Sequence, residues 1–366
     1  MRGVRAVFLL VSWLCALSAV AAPPKKPRGF AERVADEARV ERVLQSLSPR
    51  EKVGQLLLAY PQIGKDTPVE VGGVLFVGGT LRKLDAARER IRSSRERARI
   101  PPFFAVDIEG GSFNRLQRHA GLQELPLARD MALLEDAEVE AWGRRVGEAM
   151  RQVGLNMNLA PVFDVAPSGH MFRNGRAFSG DPEVVQRKAT AFARGLARVG
   201  VVSIGKHFPG YGDLDADSDH VRAIADWDEA RVRREASAFR AADRELGGVM
   251  MSNIVYSRFG GAPAILEPAL VALAHEGGGV AMTDDVAIAA LAEHLGTGRE
   301  EVVRRAFLAG NDIILTTEPP DWSGGLDYFG ILTTLAGSDP KMAERLDTAV
   351  RRVLRLKDRM GLLDGK

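Results

Sequence analysis

The hydrophobic positions of this chain fall into two alternating patterns. Short apolar runs, each bounded by glycine, proline or polar residues, lack the alternation of a strand with one solvated face, and they are typical of strands buried on both faces of a parallel sheet. Eight segments fit this pattern: 56–59, 73–76, 103–106, 156–159, 201–205, 248–251, 280–282 and 312–315. Between most of them the apolar spacing becomes helical, as in 134–153, 183–199, 228–246 and 299–308.

Two helices have clear boundaries in the sequence. Ser48, Pro49 and Glu51 combine an N-cap, a proline at the first helical position and a capping-box acid, which predicts a helix that begins there. The last helix begins at Asp339, carries one apolar stripe and ends before Gly361. Strands that alternate with helices predict a single-domain (β/α)8 TIM barrel of the α/β class, although an open doubly wound sheet would give much the same pattern.

The first 29 residues differ from the rest. Residues 1–22 contain Arg2 and Arg5, an apolar run and Ala-Val-Ala at 19–21, which predicts a secretory signal peptide. Residues 23–29 (PPKKPRG) read as a stiff linker, and 30–366 as the barrel. We therefore expect export to the periplasm or the extracellular space. An uncleaved membrane anchor is the alternative, but the run is shorter than the roughly 20 residues that a span needs, so we expect no stable membrane insertion.

Charge and motif content exclude several classes of function. The chain has 50 Lys+Arg and 48 Asp+Glu, and the leader contributes two arginines and no acid, so the mature chain is formally neutral. No basic run is interleaved with aromatic residues, and we expect no nucleic-acid partner. The single cysteine, Cys15, lies in the leader, and the six histidines lack metal-ligand spacing. Nucleotide-binding glycine loops and the GxSxG elbow are absent. We expect neither metal nor cofactor.

Polar residues follow five of the eight predicted strands, where barrel enzymes carry their reacting groups. They are Asp107 and Glu109, Asp164, Lys206 and His207, Ser252 and Asn253, and Thr283, Asp284 and Asp285. An isolated aspartate after a strand caps the following helix about as often as it has a functional role. Either Asp284 or Asp285 is expected to cap a helix that begins near Val286. No cap explains Lys206 and His207. Carboxylate chemistry remains, and it suits the cleavage of glycosidic bonds.

Nine segments, in order, carry a resemblance to a known family: LSPREKVGQLLL, GGVLF, AVDIEGGSFNRL, GLNMNLAPVFDVA, GRAFSGDP, GKHFPGYGDLDADSDH, VMMSNIVY, AMTDDVAI and AFLAGNDIIL. From about residue 47 to 363 the chain resembles the glycoside hydrolases of family 3, and within them the bacterial single-domain β-N-acetylglucosaminidases that act on peptidoglycan fragments. The KHFPG form, with a chain that stops after the barrel, resembles these hexosaminidases more than the β-glucosidases. The resemblance implies a carbohydrate substrate, and we expect a monomer.

The resemblance also implies roles for particular residues. The family holds the acetamido sugar with residues that correspond here to Asp107, Arg115, Arg176, Lys206 and His207. The family nucleophile corresponds to Asp284, which follows Thr283 where the family has serine. Such a carboxylate would form a covalent glycosyl-enzyme and retain the anomeric configuration.

The predicted proton-donor segment departs from the family pattern. The family has Asp-Ser-His, in which the aspartate orients a histidine on a mobile loop, whereas residues 217–220 here read DSDH. Either His220 reaches the leaving group with help from Asp217, or Asp219 is the acid itself. The neutral-range imidazole favours His220, and a carboxylic acid is ordinary chemistry for a glycosidase.

Two further departures lie near the expected site. Ser112 stands where the family often has arginine, and Tyr211 where it usually has histidine, which indicates an altered substrate preference or weakened activity. The alternative to a hydrolase is therefore a catalytically impaired barrel that binds amino sugars or peptidoglycan. A glycosidase for plain glucosides or xylosides is a third hypothesis.

Overall fold

The computed structural model describes residues 30–60, 70–119, 121–240, 244–318 and 326–365. Eight strands form one parallel sheet: Leu57–Ala59, Gly73–Leu75, Phe103–Val106, Met157–Asn158, Val202–Phe208, Leu246–Met251, Val280–Thr283 and Ile314–Thr316. Each pairs with its neighbour in chain order, and the first also pairs with the last. A parallel bridge between Met282 and Ile313 joins the seventh and eighth strands. The sheet is thus a nearly continuous ring, which confirms the (β/α)8 barrel and excludes the open sheet.

Helices surround the barrel. Within the described residues the α-helices are Glu37–Ser46, Pro49–Gln55, Leu84–Arg97, Ala128–Met131, Asp136–Val153, Gly169–Arg173, Pro182–Arg198, Glu229–Arg240, Pro268–His275, Ala289–Leu295, Arg299–Ala309, Tyr328–Ala336 and Pro340–Arg359. Short 3-10 turns are Phe30–Glu32, Gly78–Leu81 and Ala264–Leu266. Two small ribbons stand outside the barrel: Ile108–Gly110 with Phe113–Asn114, and Ile224–Ala225 with Val255–Tyr256.

The predicted helix boundaries hold where a cap defines them. Ser48 and Glu51 form the expected capping box, and Asp339 caps the last helix through the backbone N–H groups of Lys341 and Met342. The predicted helix 228–246 is wrong at its end, because Leu246 already begins the sixth barrel strand. The additional helix Glu37–Ser46 packs against the last helix, and it was not predicted.

Both faces of the barrel strands are apolar, as the strand pattern predicts. In Phe103–Val106, Phe103 and Ala105 belong to the cluster inside the barrel, whereas Phe104 and Val106 belong to the cluster under the helices. Phe30 and the last helix close the amino-terminal end, where the Lys357 ammonium lies 5.0 Å from the centroid of the Phe103 ring. The polar strand ends lie at the opposite mouth of the barrel.

The fifth barrel strand is longer than its apolar run. It continues through Lys206 to Phe208, because Lys206 N donates to Pro161 O at 3.2 Å and Lys206 O accepts from Phe163 N at 2.6 Å. The prediction that Lys206 and His207 follow the strand is therefore corrected: both belong to it and stand on the barrel wall. Backbone pairing on this side fixes their direction more firmly than a loop would.

Two predictions fall on residues that the structure does not describe. The signal peptide (1–22) and the linker (23–29) lie outside the described ranges, so they stay predictions. Within the described ranges, no helix has the length and apolar character needed to traverse a bilayer.

Candidate active site

A buried ion cluster lies at the barrel mouth, between the ends of the third and fifth strands. The Glu109 carboxylate accepts from Arg176 Nε at 2.8 Å and Nη2 at 2.9 Å, and Lys206 Nζ lies 2.6 Å from Glu109 Oε1. Burial alone would raise the pKa of Glu109, but the charges of Arg176 and Lys206 outweigh it and hold that pKa well below its usual range. The cluster therefore keeps one anion and two cations. The sequence singled out Glu109 at a strand end but gave it no role.

A hairpin after the third strand brings Arg115 back to Asp107. Its turn requires Gly110, which has a φ of 143° and where a Cβ would lie 2.2 Å from Pro126 O. Arg115 Nη2 then donates to Asp107 Oδ2 at 3.2 Å. Asp107 Oδ1 is buried and has no hydrogen-bond partner among the described residues. This oxygen remains available as an acceptor for a ligand.

Asp164 binds the end of the fifth strand at the barrel mouth and does not cap a helix. Its Oδ1 accepts from the backbone N–H groups of His207 at 3.1 Å and Tyr211 at 2.9 Å, and its Oδ2 lies 2.8 Å from His207 Nδ1. Because a carboxylate only accepts, His207 Nδ1 carries the proton, and Nε2 is left for a ligand. The sequence left open whether Asp164 was a cap, and the geometry excludes that alternative.

Asp284 directly follows the seventh strand and lies within electrostatic reach of Lys206 and His207. Its N–H donates to Met251 O at 3.1 Å, and its Oδ1 accepts from Asp285 N at 2.8 Å. Burial and the nearby charge of Asp219 raise the pKa of Asp284 to about 6, while His207 and Lys206 oppose this rise. The carboxylate is therefore largely ionised at neutral pH.

The sequence predicts that either Asp284 or Asp285 caps a helix. Asp285 does accept backbone hydrogen bonds, but it does not cap that helix. Its Oδ1 accepts from Ala287 N at 2.9 Å and from Thr317 N at 3.1 Å. The helix begins at Ala289 and not near Val286, so the predicted cap is wrong. Asp285 instead joins the ends of the seventh and eighth strands, which orients the adjacent Asp284.

The segment 217–220 lies over this mouth. Asp217 Oδ1 accepts from Asp219 N at 3.1 Å, and Asp217 Oδ2 lies 3.9 Å from His220 Nε2. The His220 side chain is 81% exposed. The charge of Asp219 acts on both Asp284 and Arg176 and raises the pKa of each. The charge of Asp219 thus acts on the site, although both Asp219 and His220 are exposed.

Tyr211 anchors that segment. Its hydroxyl accepts from Ser218 N at 2.7 Å, and its ring lies edge-on to His207, with centroids 5.7 Å apart. On its other side it stacks on His170 at 5.9 Å. Burial raises the pKa of Tyr211 to about 12, so the hydroxyl stays neutral. Ser112, the other departure from the family pattern, is exposed at the hairpin turn.

An unpaired amide stands between the fifth and seventh strands. Asn253 follows the sixth barrel strand, is 5% exposed, and neither its Oδ1 nor its Nδ2 has a partner within the described ranges. Buried polar groups without partners are rare and costly. The neighbouring Ser252 hydroxyl, by contrast, pairs with Tyr256 at 3.2 Å. Asn253 therefore offers one donor group and one acceptor to a ligand.

A (β/α)8 barrel with carboxylates and buried cations at its mouth is the arrangement of a glycoside hydrolase, and comparison with known proteins gives the same class. The family model "Glycosyl hydrolase family 3 N terminal domain" matches residues 49–356. The chain therefore belongs to glycosyl hydrolase family 3.

Relatives and solved structures agree with this assignment. Beta-hexosaminidase LpqI of Mycobacterium tuberculosis (strain ATCC 25618 / H37Rv) is 31% identical over 331 residues, which cover 85% of this chain and 83% of that protein. The crystal structure of β-N-acetylhexosaminidase from Beutenbergia cavernae DSM 12333 has a TM-score of 0.75 at 29% identity, covering 84% of this chain and 98% of that one. The structure of M. tuberculosis LpqI has a TM-score of 0.73 at 27% identity, covering 88% and 97%.

Proposed function

We propose that the protein is a retaining exo-glycosidase that releases terminal β-linked N-acetylglucosamine, and that Asp284 is its nucleophile. The feature that carries this proposal is the buried Asp284 carboxylate at the barrel mouth, within electrostatic reach of Lys206 and His207. In the first step Asp284 bonds to the anomeric carbon as the glycosidic C–O bond breaks and a neighbouring acid protonates the leaving oxygen. In the second step water attacks the same carbon, gives its proton to that group, and releases Asp284.

The polar groups around Asp284 suit an acetamido sugar. Asp107 Oδ1 and the Asn253 amide are unpaired among the described residues, and His207 presents Nε2, so acceptors and donors for hydroxyl and acetamido groups are in place. Arg176 and Lys206 add fixed cations, and Arg115 stands at the rim. The relatives named β-hexosaminidases support this substrate class.

Peptidoglycan fragments are the proposed source of the substrate, and the proposed location is outside the cytoplasm. The support is the leader-like composition of residues 1–22, since an exported enzyme would meet cell-wall glycans. The test is fractionation of cells that express the full chain, with N-terminal sequencing of the exported form. A mature protein that begins near residue 23 agrees with the proposal, and retention of residues 1–22 in a cytoplasmic form contradicts it.

Substrate profiling tests the proposed activity. The purified enzyme is expected to release chromophore from an aryl N-acetyl-β-glucosaminide much faster than from the matching β-glucoside or β-xyloside. The reverse order would favour the glycosidase for plain sugars. Calorimetric binding of N-acetylglucosamine without any turnover would favour the catalytically impaired barrel, and deletion of Asp219, which restores Asp-Ser-His, should then raise activity greatly.

The proton donor is Asp219 or His220, with Asp217 assisting. Both side chains are exposed, and the charge of Asp219 acts on Asp284, which supports the carboxylic acid. We expect Asp219→Asn to lower kcat for a poor leaving group by about 10²-fold, and far less for an activated aryl leaving group, since only the former needs a proton. His220→Gln measured in parallel on both substrates separates the two donors: the larger leaving-group dependence marks the acid.

Substitution of Asn253 is expected to lower activity without lowering stability. Asn253→Leu is expected to lower kcat/KM by about tenfold or more while leaving the unfolding temperature unchanged or higher, since no hydrogen bond is lost within the described structure. The matched control is Asn158→Leu. Asn158 Oδ1 accepts from Ile108 N at 2.9 Å and its Nδ2 donates to Ile108 O at 3.0 Å, so this change should lower the unfolding temperature. Equal destabilisation in both variants would contradict a ligand-binding role.

A further inference from the structure

The segment that carries Asp217, Asp219 and His220 is held by the loop that follows the fourth barrel strand. His170 N donates to Leu214 O at 2.7 Å, and the Arg173 guanidinium pairs with Asp215. A Cβ on Gly169, whose φ is 79°, would lie 2.5 Å from Leu214 O. The two loops are therefore in close backbone contact, and the position of residues 213–220 depends on Gly169–Arg173.

The imidazole of His170 lies within this contact. Its side chain is 15% exposed, and its ring stacks on Tyr211 at an interplanar angle of 28°. Asn174 Nδ2 lies 3.3 Å from His170 Nε2, and the same Nε2 lies 3.8 Å from Asp217 Oδ2. In the neutral ring Nε2 accepts from the Asn174 amide, and the same nitrogen is the one that approaches the carboxylate of the acid–base segment.

Asp217 thus has two imidazoles at nearly equal distances. His170 Nε2 is 3.8 Å away and His220 Nε2 is 3.9 Å away, but the first side chain is largely buried and the second is exposed. Water and salt screen an exposed pair, so its interaction is worth little, whereas a buried pair is screened much less. The pairing with His170 is therefore the stronger one.

The charges that face His170 come from two segments, the loop that carries Arg173 and Arg176 and the segment that carries Asp217 and Asp219. Burial lowers the pKa of His170, and the charges of Arg176 and Arg173 lower it further, while Asp217 and Asp219 act in the opposite direction. The neutral hydroxyl of Tyr211 adds no charge. The charge state of the His170 ring therefore depends on Asp217 and Asp219, which lie on the segment that His170 contacts.

We propose that His170 is a positioning residue of the reaction, which pairs with Asp217 and holds the segment bearing Asp219 and His220 over Asp284. The inference rests on the proposed function. Because the pKa of His170 is lowered by burial and by Arg176 and Arg173, the ring is largely neutral at pH 7, where Asp284 is ionised. The ring therefore holds the segment through its stacking on Tyr211 and its contact with Asp217, and protonation at acid pH strengthens that contact. Protonation of His170 then adds a titration on the acid side of the pH profile of kcat, and this titration belongs to a side chain outside the DSDH segment; substrate affinity depends on it less.

Two substitutions separate the parts of this role. His170→Gln keeps a polar group beside Asp217 but cannot ionise, and His170→Phe keeps the stacking on Tyr211 but loses the polar contact. We expect His170→Phe to lower kcat by about 10–100-fold with little change in KM, because the acid–base segment is misplaced. His170→Gln should recover part of kcat, with one titration missing from its pH profile. The control is His119→Gln, whose ring faces Arg88, and it should match the wild type.

A second measurement does not depend on activity. In ¹⁵N-histidine NMR titrations, Asp217→Asn should lower the pKa of His170 and leave that of His119 unchanged. If the wild type hydrolyses no N-acetylated β-glycoside, the proposed function fails, and a His170 signal unaffected by Asp217→Asn then also removes the pairing. If the wild type is active but the pH profile of kcat in His170→Gln superimposes on it, the positioning role is overturned.

Discussion

Asp284→Ala is expected to lower kcat on an aryl N-acetyl-β-glucosaminide by on the order of 10⁴-fold or more, because it removes the carboxylate that captures the anomeric carbon. Binding of N-acetylglucosamine should persist, since Asp107, Arg176 and Lys206 are untouched. The control is Asp226→Ala, which removes an exposed carboxylate paired with Arg258 and should leave kcat unchanged. Retention of substantial turnover in Asp284→Ala would assign the nucleophile elsewhere.

The same carboxylate predicts the acid limb of the pH profile. Asp284 attacks only when ionised, and its pKa of about 6 means that kcat/KM should fall as the pH drops through that value. Azide offers a chemical check on the alanine variant. A small anion that enters the vacated space should attack from the same face and give an α-glycosyl azide, whereas a merely structural Asp284 would leave no such product.

Glu109→Gln is expected to be the most destabilising single change at the site. It leaves the buried Arg176 and Lys206 without their counter-charge, and the loss of one partner from a buried pair typically costs about 3–5 kcal/mol. The unfolding midpoint in urea should fall accordingly, and the activity should fall with it, since both cations lose their orientation. The matched control is Glu89→Gln, which breaks the exposed pair with Arg92 and should change the midpoint little.

A Glu109→Gln variant as stable as the wild type would contradict this account of the cluster. A stable but inactive variant would instead assign Glu109 a direct contact with the sugar. Circular dichroism on the same samples distinguishes a folded inactive barrel from an unfolded one.

The barrel could be predicted from sequence because its strands are apolar on both faces. Phe103 and Phe104 point to opposite sides of the sheet yet are both buried, so their run lacks polar alternation. The fifth strand was predicted too short because Lys206 and His207 interrupt its apolar run, although their backbone pairing continues to Phe208. Polar residues that belong to a strand look like loop residues when composition alone is considered.

The candidate site could be predicted residue by residue but not contact by contact. The resemblance singled out Arg176 and Lys206, yet it did not indicate that both neutralise Glu109, because that contact spans the loops of different strands. His170 carried no sequence signal beyond lacking metal-ligand spacing. Its position depends on the stacking with Tyr211 and on the close approach of the two loops, which arises only when the barrel brings the strand ends together.

The most direct test of the central claim is to trap the glycosyl-enzyme. A fluorinated N-acetylglucosaminyl fluoride, whose intermediate hydrolyses slowly, should label the protein once, and peptide mapping by mass spectrometry should assign the added sugar to Asp284. Label on another carboxylate, or full turnover of a natural β-linked substrate with inversion at the anomeric carbon, would contradict the account.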